Sequence, residues 1–173
     1  MGNLNGRLGA GEVTIGRFVI DQDDIDQLLD HLRECPDRLR SIIADVPDDE
    51  LSRAAAGGGW GPVEVFCHLR DLEELFIERV GRILTEDEPF LPVVDETLWP
   101  IERDYASQNA RVALEQFAEN RAQFTRMLSR LDSPDWLRRG DHAELGEQTV
   151  LWYAHHAADH DSQHEQQLRE LVG

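Results

Sequence analysis

The chain holds seven histidines, and four of them fall in one stretch, Tyr153-Ala154-His155-His156-Ala157-Ala158-Asp159-His160-Asp161-Ser162-Gln163-His164. His156, His160 and His164 recur every fourth residue. On a helix each such step turns the side chain by only about 40°, so the three form one stripe. Val150, Tyr153, Ala157, Leu168 and Leu171 fall on or beside that stripe, so the spacing predicts imidazoles aimed into a helical core. His68, three residues after Val65 and four before Leu72, occupies the inward face of a different helix. Three neutral imidazoles meeting in a bundle suit a divalent ion such as zinc or nickel, with a position left open for water. The same rings could instead be core residues hydrogen-bonded to carbonyls or to some of the 35 acids. Spacing alone leaves both readings open. His155 points about 100° away from His156 and is expected at the surface. His31 and His142 lie outside the cluster and are expected to be solvated.

Competing chemistries fail residue by residue. His164-Glu165-Gln166-Gln167-Leu168 starts like the zinc-protease helix but has Leu where the second His must stand. No Glu stands three residues before any His, so the carboxylate di-iron pattern is absent. Gly57-Gly58-Gly59 has no preceding strand and no following Lys, so it reads as a hinge rather than a phosphate cradle. Cys67 adjoins His68, but neighbours on a helix diverge by about 100°, so Cys67 reads as a small buried residue. Trp60, Trp99, Trp136 and Trp152 read as plugs at bundle ends.

These side chains need helices to position them, and the hydrophobic pattern supplies four. Ile25, Leu28, Leu29 and Leu32 mark a first run, which Pro36 is expected to split into a short helix to about Glu34 and a fresh one carrying Leu39, Ile42, Ile43 and Val46. Gly61-Pro62 opens a long second helix with Val65, Leu69, Leu72, Phe76, Val80 and Ile83 on one face. Residues 85–100, rich in proline and acid, read as a long connection. A third helix is expected from about Ser107 to Leu131, then a loop from Gly140 to Gly146. Thr149 is placed to cap a last helix from Val150 to Leu171. Residues 1–20 read as an irregular arm with at most one unpartnered strand, and residues 21–173 as an all-α four-helix bundle with a short extra N-terminal helix.

Composition narrows the partners. All 17 cations are Arg, set against 35 acids for a formal charge of -18, which opposes phosphate backbones and anionic membranes. Two cysteines, Cys35 and Cys67, are too few for a disulfide framework. No stretch approaches the ~18 apolar residues of a membrane span, and the first residues resemble no signal peptide. A reducing cytoplasmic setting is expected.

Several pieces in a fixed order carry a family resemblance: Pro36-x-x-Leu39, Gly58-Gly59-Trp60 leading to Val65-x-x-His68-Leu69-x-Asp71, Leu84-Thr85-Glu86 with Glu88-Pro89 and Glu96-x-x-Trp99, and Gly146-Glu147-x-Thr149 before His156-x-x-x-His160-x-x-x-His164. Over roughly residues 34–168 the chain resembles the DinB-like superfamily, and within it the YfiT-type metal-dependent hydrolases and bacillithiol transferases. The resemblance implies a four-helix bundle whose divalent metal, zinc or nickel, is held by His68, His160 and His164, with His156 a neighbour. It also implies a metal-activated water or low-molecular-weight thiol, such as bacillithiol or mycothiol, acting on a small-molecule electrophile, and a homodimer. Glu64, one turn before His68, could support that ligand, although a solvated acid is the simpler reading. The family often has Ser or Thr where Gly61 stands, which alters a helix cap. Residues 1–33 have no clear counterpart. The expected activity is thiol S-transfer or hydrolysis. The alternative is a non-enzymatic metal-binding or interaction protein of the same fold in stress or detoxification.

Overall fold

Helix α1 (Gln22–Ile42) starts where the Asp21 carboxylate accepts the Asp23 N–H at 3.0 Å, satisfying a donor that the first turn cannot. It buries Ile25, Leu28, Leu29, Leu32, Cys35 and Leu39 on one side. A computed structural model describes residues 13–15, 18–55 and 58–173 of the chain. In it α1 runs unbroken through Pro36, where two helices were expected. Proline removes the N–H that would bond the Leu32 carbonyl. Arg121 from another helix donates to that carbonyl instead, at 3.3 Å, so the gap in the ladder is filled from across the core.

Three more long helices complete the bundle: α3 (Pro62–Thr85), α5 (Ala110–Leu128) and α7 (Val150–Val172), with the short α2 (Asp48–Leu51) after α1. Each long helix begins on a local device. The Glu64 carboxylate accepts the Gly61 N–H at 2.7 Å ahead of α3. Asn109 Oδ1 accepts from the Val112 N–H at 3.0 Å for α5. The Thr149 hydroxyl accepts from the Trp152 N–H at 3.1 Å for α7, as its position predicts. Because Asn109 is the cap, α5 starts later than expected, and Tyr105–Ser107 forms a separate 3-10 turn. The helices share one core, with α3 against α5 and α7, and α1 against α5 and α7. At its centre Arg121, only 2% exposed, is gripped by two buried acids, Glu73 and Asp161. This ties α5 to α3 and α7.

The chain also forms short strands, of which the sequence pattern signalled only one, unpartnered, in the arm. Val13–Ile15 (β1) and Phe18–Ile20 (β2) pair antiparallel, Val13 opposite Ile20, so part of the arm read as irregular is a two-stranded pair. The rest of that arm, residues 1–12 and 16–17, lies outside the described residues. Within the expected connection, Phe90–Leu91 (β3) pairs parallel with Arg139–His142 (β4), and the one-turn helix α4 (Trp99–Glu102) follows β3. After α6 (Ser133–Trp136), β4 turns back antiparallel on Gly146–Thr149 (β5), where a loop was expected. A Cβ at Gly140 would lie 2.9 Å from Leu91 Cδ1 and 3.0 Å from the Pro89 carbonyl, so glycine permits the close approach of β4 to β3. No described helix is long and apolar enough to cross a membrane.

Candidate metal centre

His68 lies in the second turn of α3 and is 2% exposed. His160 and His164, one turn apart on α7, are partly buried. Their Nε2 atoms converge: His68 Nε2 is 3.1 Å from His160 Nε2, and His164 Nε2 is 3.1 Å from the same atom. All three nitrogens lie within 4.8 Å of one another. Ligand nitrogens at metal–nitrogen distances of about 2.0–2.1 Å in a tetrahedral shell stand roughly 3.3 Å apart, so the spacing matches one shared ion.

Hydrogen bonding alone satisfies this triangle poorly. The Gln167 Oε1 atom accepts from His164 Nδ1 at 2.7 Å, which puts the ring proton on Nδ1 and leaves Nε2 as a bare lone pair. His160 Nε2 then faces two neighbours with a single in-plane position, either one lone pair or one N–H, and cannot bond both well. His68 Nδ1 is buried without a partner among the described residues. A cation at the centre would accept all three Nε2 lone pairs, so the donor set fits a divalent ion. The rings are also held neutral, the state a ligand requires. Burial, then the neighbouring His164, pushes His68 down to about 4. Burial, followed by His164, His68 and His156, pushes His160 down to about 2. Burial lowers His164 as well, against the opposing hydrogen bond of Gln167.

Aromatic rings wall the cluster. Trp60 stands 4.7 Å from His68 between ring centres and stacks on His164 at 6.2 Å and 17°. The Trp99 ring, also buried, is 6.4 Å from His68. Neither tryptophan is therefore a plug remote from the site. Arg103 lies 4.4 Å over Trp99 and pairs with Asp71 at 2.8 Å. Asp71, one turn beyond His68, also accepts from Arg70 and from the Tyr105 hydroxyl, each at 2.6 Å. Burial raises the Asp71 carboxyl, but the bonds from Arg70 and Tyr105 outweigh it and hold the group below its usual range. This network went unread in the sequence, although Asp71 stands on the same helix three residues after His68. Gln167, three residues after His164, was missed too.

Other expectations need correction. His156 stays outside the converging rings, its ring 6.3 Å from that of His160, but the inward aim that its place on the stripe predicts is not met. This residue is exposed, stacks on Trp152 at 4.6 Å and 14°, and meets the Phe76 ring edge-on at 5.7 Å. Each four-residue step rotates the stripe, and two steps before His164 it has left the triangle. Glu64 serves the α3 cap, and among the described residues it makes no hydrogen bond to a histidine. His142 is 6% exposed rather than solvated, its Nδ1 accepting the Glu144 and Leu145 N–H groups at 3.3 and 3.2 Å. His31 is partly buried beside Arg38, and His155 is exposed as expected. Cys67 is buried with Sγ 3.4 Å from Gln108 Oε1, and burial pushes its thiol up to about 11. That is the opposite of an activated nucleophile.

The DinB superfamily model matches residues 31–168. Among curated proteins, "Putative metal-dependent hydrolase YfiT" of Bacillus subtilis is 25% identical over 152 residues, 83% of this chain and 85% of that protein. A Geobacillus thermodenitrificans protein named "Putative metal-dependent hydrolase" is 32% identical over 77 residues, 44% of this chain and 43% of its own length. The alignment with this second relative thus spans less than half of it. The solved YfiT structure from Bacillus subtilis, described as an unusual four-helix bundle, superposes with a TM-score of 0.72 at 23% identity, covering 91% of this chain and 94% of that one.

Proposed function

This chain belongs to the DinB superfamily, and on that premise we propose that His68, His160 and His164 hold one divalent metal ion and that the protein is a metal-dependent hydrolase or thiol S-transferase. The observation that carries the reading is the convergence of three Nε2 atoms at 3.1 Å steps, which a single N–H shared among the three rings satisfies poorly. Names of relatives as metal-dependent hydrolases support it. A divalent ion so held acts as a Lewis acid, lowering the pKa of a bound water or thiol so that the anion is present near neutral pH.

The chain's own residues prepare that chemistry. Gln167 fixes the His164 tautomer and ring plane, as partners of metal-bound histidines do elsewhere. The Arg121 link to Asp161, next to His160 in the chain, pins α7 against α5, so His160 and His164 keep their register with His68. Trp60 and Trp99 exclude water on the side of His68, which strengthens electrostatic interactions inside the site. Hydrolysis follows when water is the nucleophile. Transfer follows when a low-molecular-weight thiol such as bacillithiol or mycothiol attacks a small electrophile.

The test is elemental analysis of untagged protein purified without a metal-charged resin. About one zinc or nickel ion per chain is expected, and a His160→Ala variant should lose it while keeping the helical circular dichroism of the parent. Wild-type metal content in that variant would overturn the assignment. Metal-loaded protein is then assayed with ester and amide substrates, and with several thiols against a bimane electrophile. Turnover that disappears in His160→Ala supports catalysis, and its absence with every substrate leaves a metal-binding protein without it.

A further inference from the structure

A second feature lies beside the histidine triangle and is not used by it. A cavity of about 170 Å³ opens between α3, α7, the residues after β3 and the β4–β5 turn. Leu72, Phe76 and Trp152 give it apolar walls, and His156 lines its edge. Arg79 also lines it, although this guanidinium is only 8% exposed. A charge so deeply buried is normally paired. Among the described residues Arg79 makes one well-formed hydrogen bond, to the Pro92 carbonyl at 3.0 Å, and no carboxylate forms an ion pair with it. Two further donors share the cavity. The Tyr153 hydroxyl is fully buried against Arg79, and its own proton has no acceptor among the described residues. His142 spends its Nδ1 lone pair on two backbone N–H groups, so its neutral ring carries the proton on Nε2, another donor.

We propose that this cavity is a binding site for a small organic carboxylate with an apolar body, its acid group held by Arg79, Tyr153 and His142 and its body against Leu72, Phe76 and Trp152. A planar guanidinium pairs with a carboxylate through two parallel bonds. The volume is close to the roughly 150 Å³ of a cavity that takes one benzene ring, so the ligand class is a single aryl ring or a short branched chain. Glu96 and Glu144 also line the cavity. They select against a phosphate dianion and favour a monoanion. Glu96 is the competing partner for Arg79, and the site requires that it stay off the guanidinium. Because the His156 and His160 rings lie 6.3 Å apart, a ligand seated here would present its body near the histidine triangle. That last link alone rests on the metal reading proposed above.

Isothermal titration of the whole protein with benzoate tests the site, with benzamide and inorganic phosphate as controls. Benzoate should bind at least about tenfold more tightly than either. Arg79→Gln should weaken benzoate at least about tenfold and leave benzamide unchanged, with circular dichroism showing that the variant folds. Glu96→Gln, a variant with no loss of donors, should bind benzoate as well as the parent or better. His160→Ala should bind benzoate within about twofold of the parent. Loss of benzoate binding in His160→Ala would mean that the acid ligates a metal, which overturns the proposal while leaving the metal reading intact. Equal benzoate affinity in the parent and Arg79→Gln, or no binding by the parent and by Glu96→Gln, would overturn it as well.

Discussion

An imidazole offers either a lone pair or a proton at Nε2, and what touches Nδ1 decides which. At His164 the decision belongs to Gln167, whose Oε1 takes the Nδ1 proton at 2.7 Å. Gln167→Leu removes that acceptor without touching a ligand atom. It should weaken metal binding about 10- to 100-fold in a competition titration against a chelator, and Gln167→Glu, which keeps an acceptor, should recover much of the loss. Unchanged affinity in the Leu variant would mean that packing alone orients the ring. The sequence made His68, His160 and His164 legible because their spacing to apolar neighbours assigns a helix face. It could not make Gln167 legible, since the choice between ring nitrogens depends on rotamers rather than on spacing. His156 leaves the stripe for a different reason, one of periodicity: a step of four approximates 3.6 well over one turn and poorly over two.

Among elements, helix starts were readable where a side chain caps the turn, as at Thr149, and unreadable where the partner is remote. Unbroken α1 depends on Arg121, 89 residues from Leu32, and no local pattern announces that. Strand β4, Arg139-Gly140-Asp141-His142, lacks the β-branched residues that mark a strand and exists because β3 and β5 flank it. Gly61 shows how such contacts reverse a local rule. Serine is the better N-cap in isolation, yet a Cβ at this position would lie 2.3 Å from the Arg53 carbonyl oxygen, a backbone atom. Gly61→Ser should therefore destabilise the protein, by about 1–3 kcal/mol if the cost resembles overpacking, despite adding a cap. Thr149→Ala should cost about 1 kcal/mol by losing one. Thermal melts check both, at roughly 2–4 °C per kcal/mol for a chain of this size. A higher melting temperature for Gly61→Ser would show that the backbone yields and the cap prevails.

Across the molecule, a formal charge of -18 would pull against compaction if every acid faced its own kind. Arginines answer by reaching between elements: Arg38 to Glu165, Arg40 to Glu115, Arg111 to Asp48, and Arg121 to Glu73 and Asp161. Only the last is fully buried, and there the penalty for breaking the set is largest. Arg121→Met leaves two carboxylates in the core and frees the Leu32 carbonyl beneath Pro36. About 3–5 kcal/mol of stability should go. Burial already raises Glu73, with Arg121 opposing it, so without the arginine its folded-state pKa must climb further above the unfolded value. A raised carboxyl pKa means that the native state binds more protons than the unfolded chain, so stability falls as pH rises and recovers as pH falls. The melting deficit of Arg121→Met relative to the parent should accordingly shrink between pH 7 and pH 5. A triple variant, Arg121→Met with Glu73→Gln and Asp161→Asn, carries no buried charge at these positions and should lose that trend. If the single variant kept a constant deficit over this range, steric loss rather than uncompensated charge would be the cause.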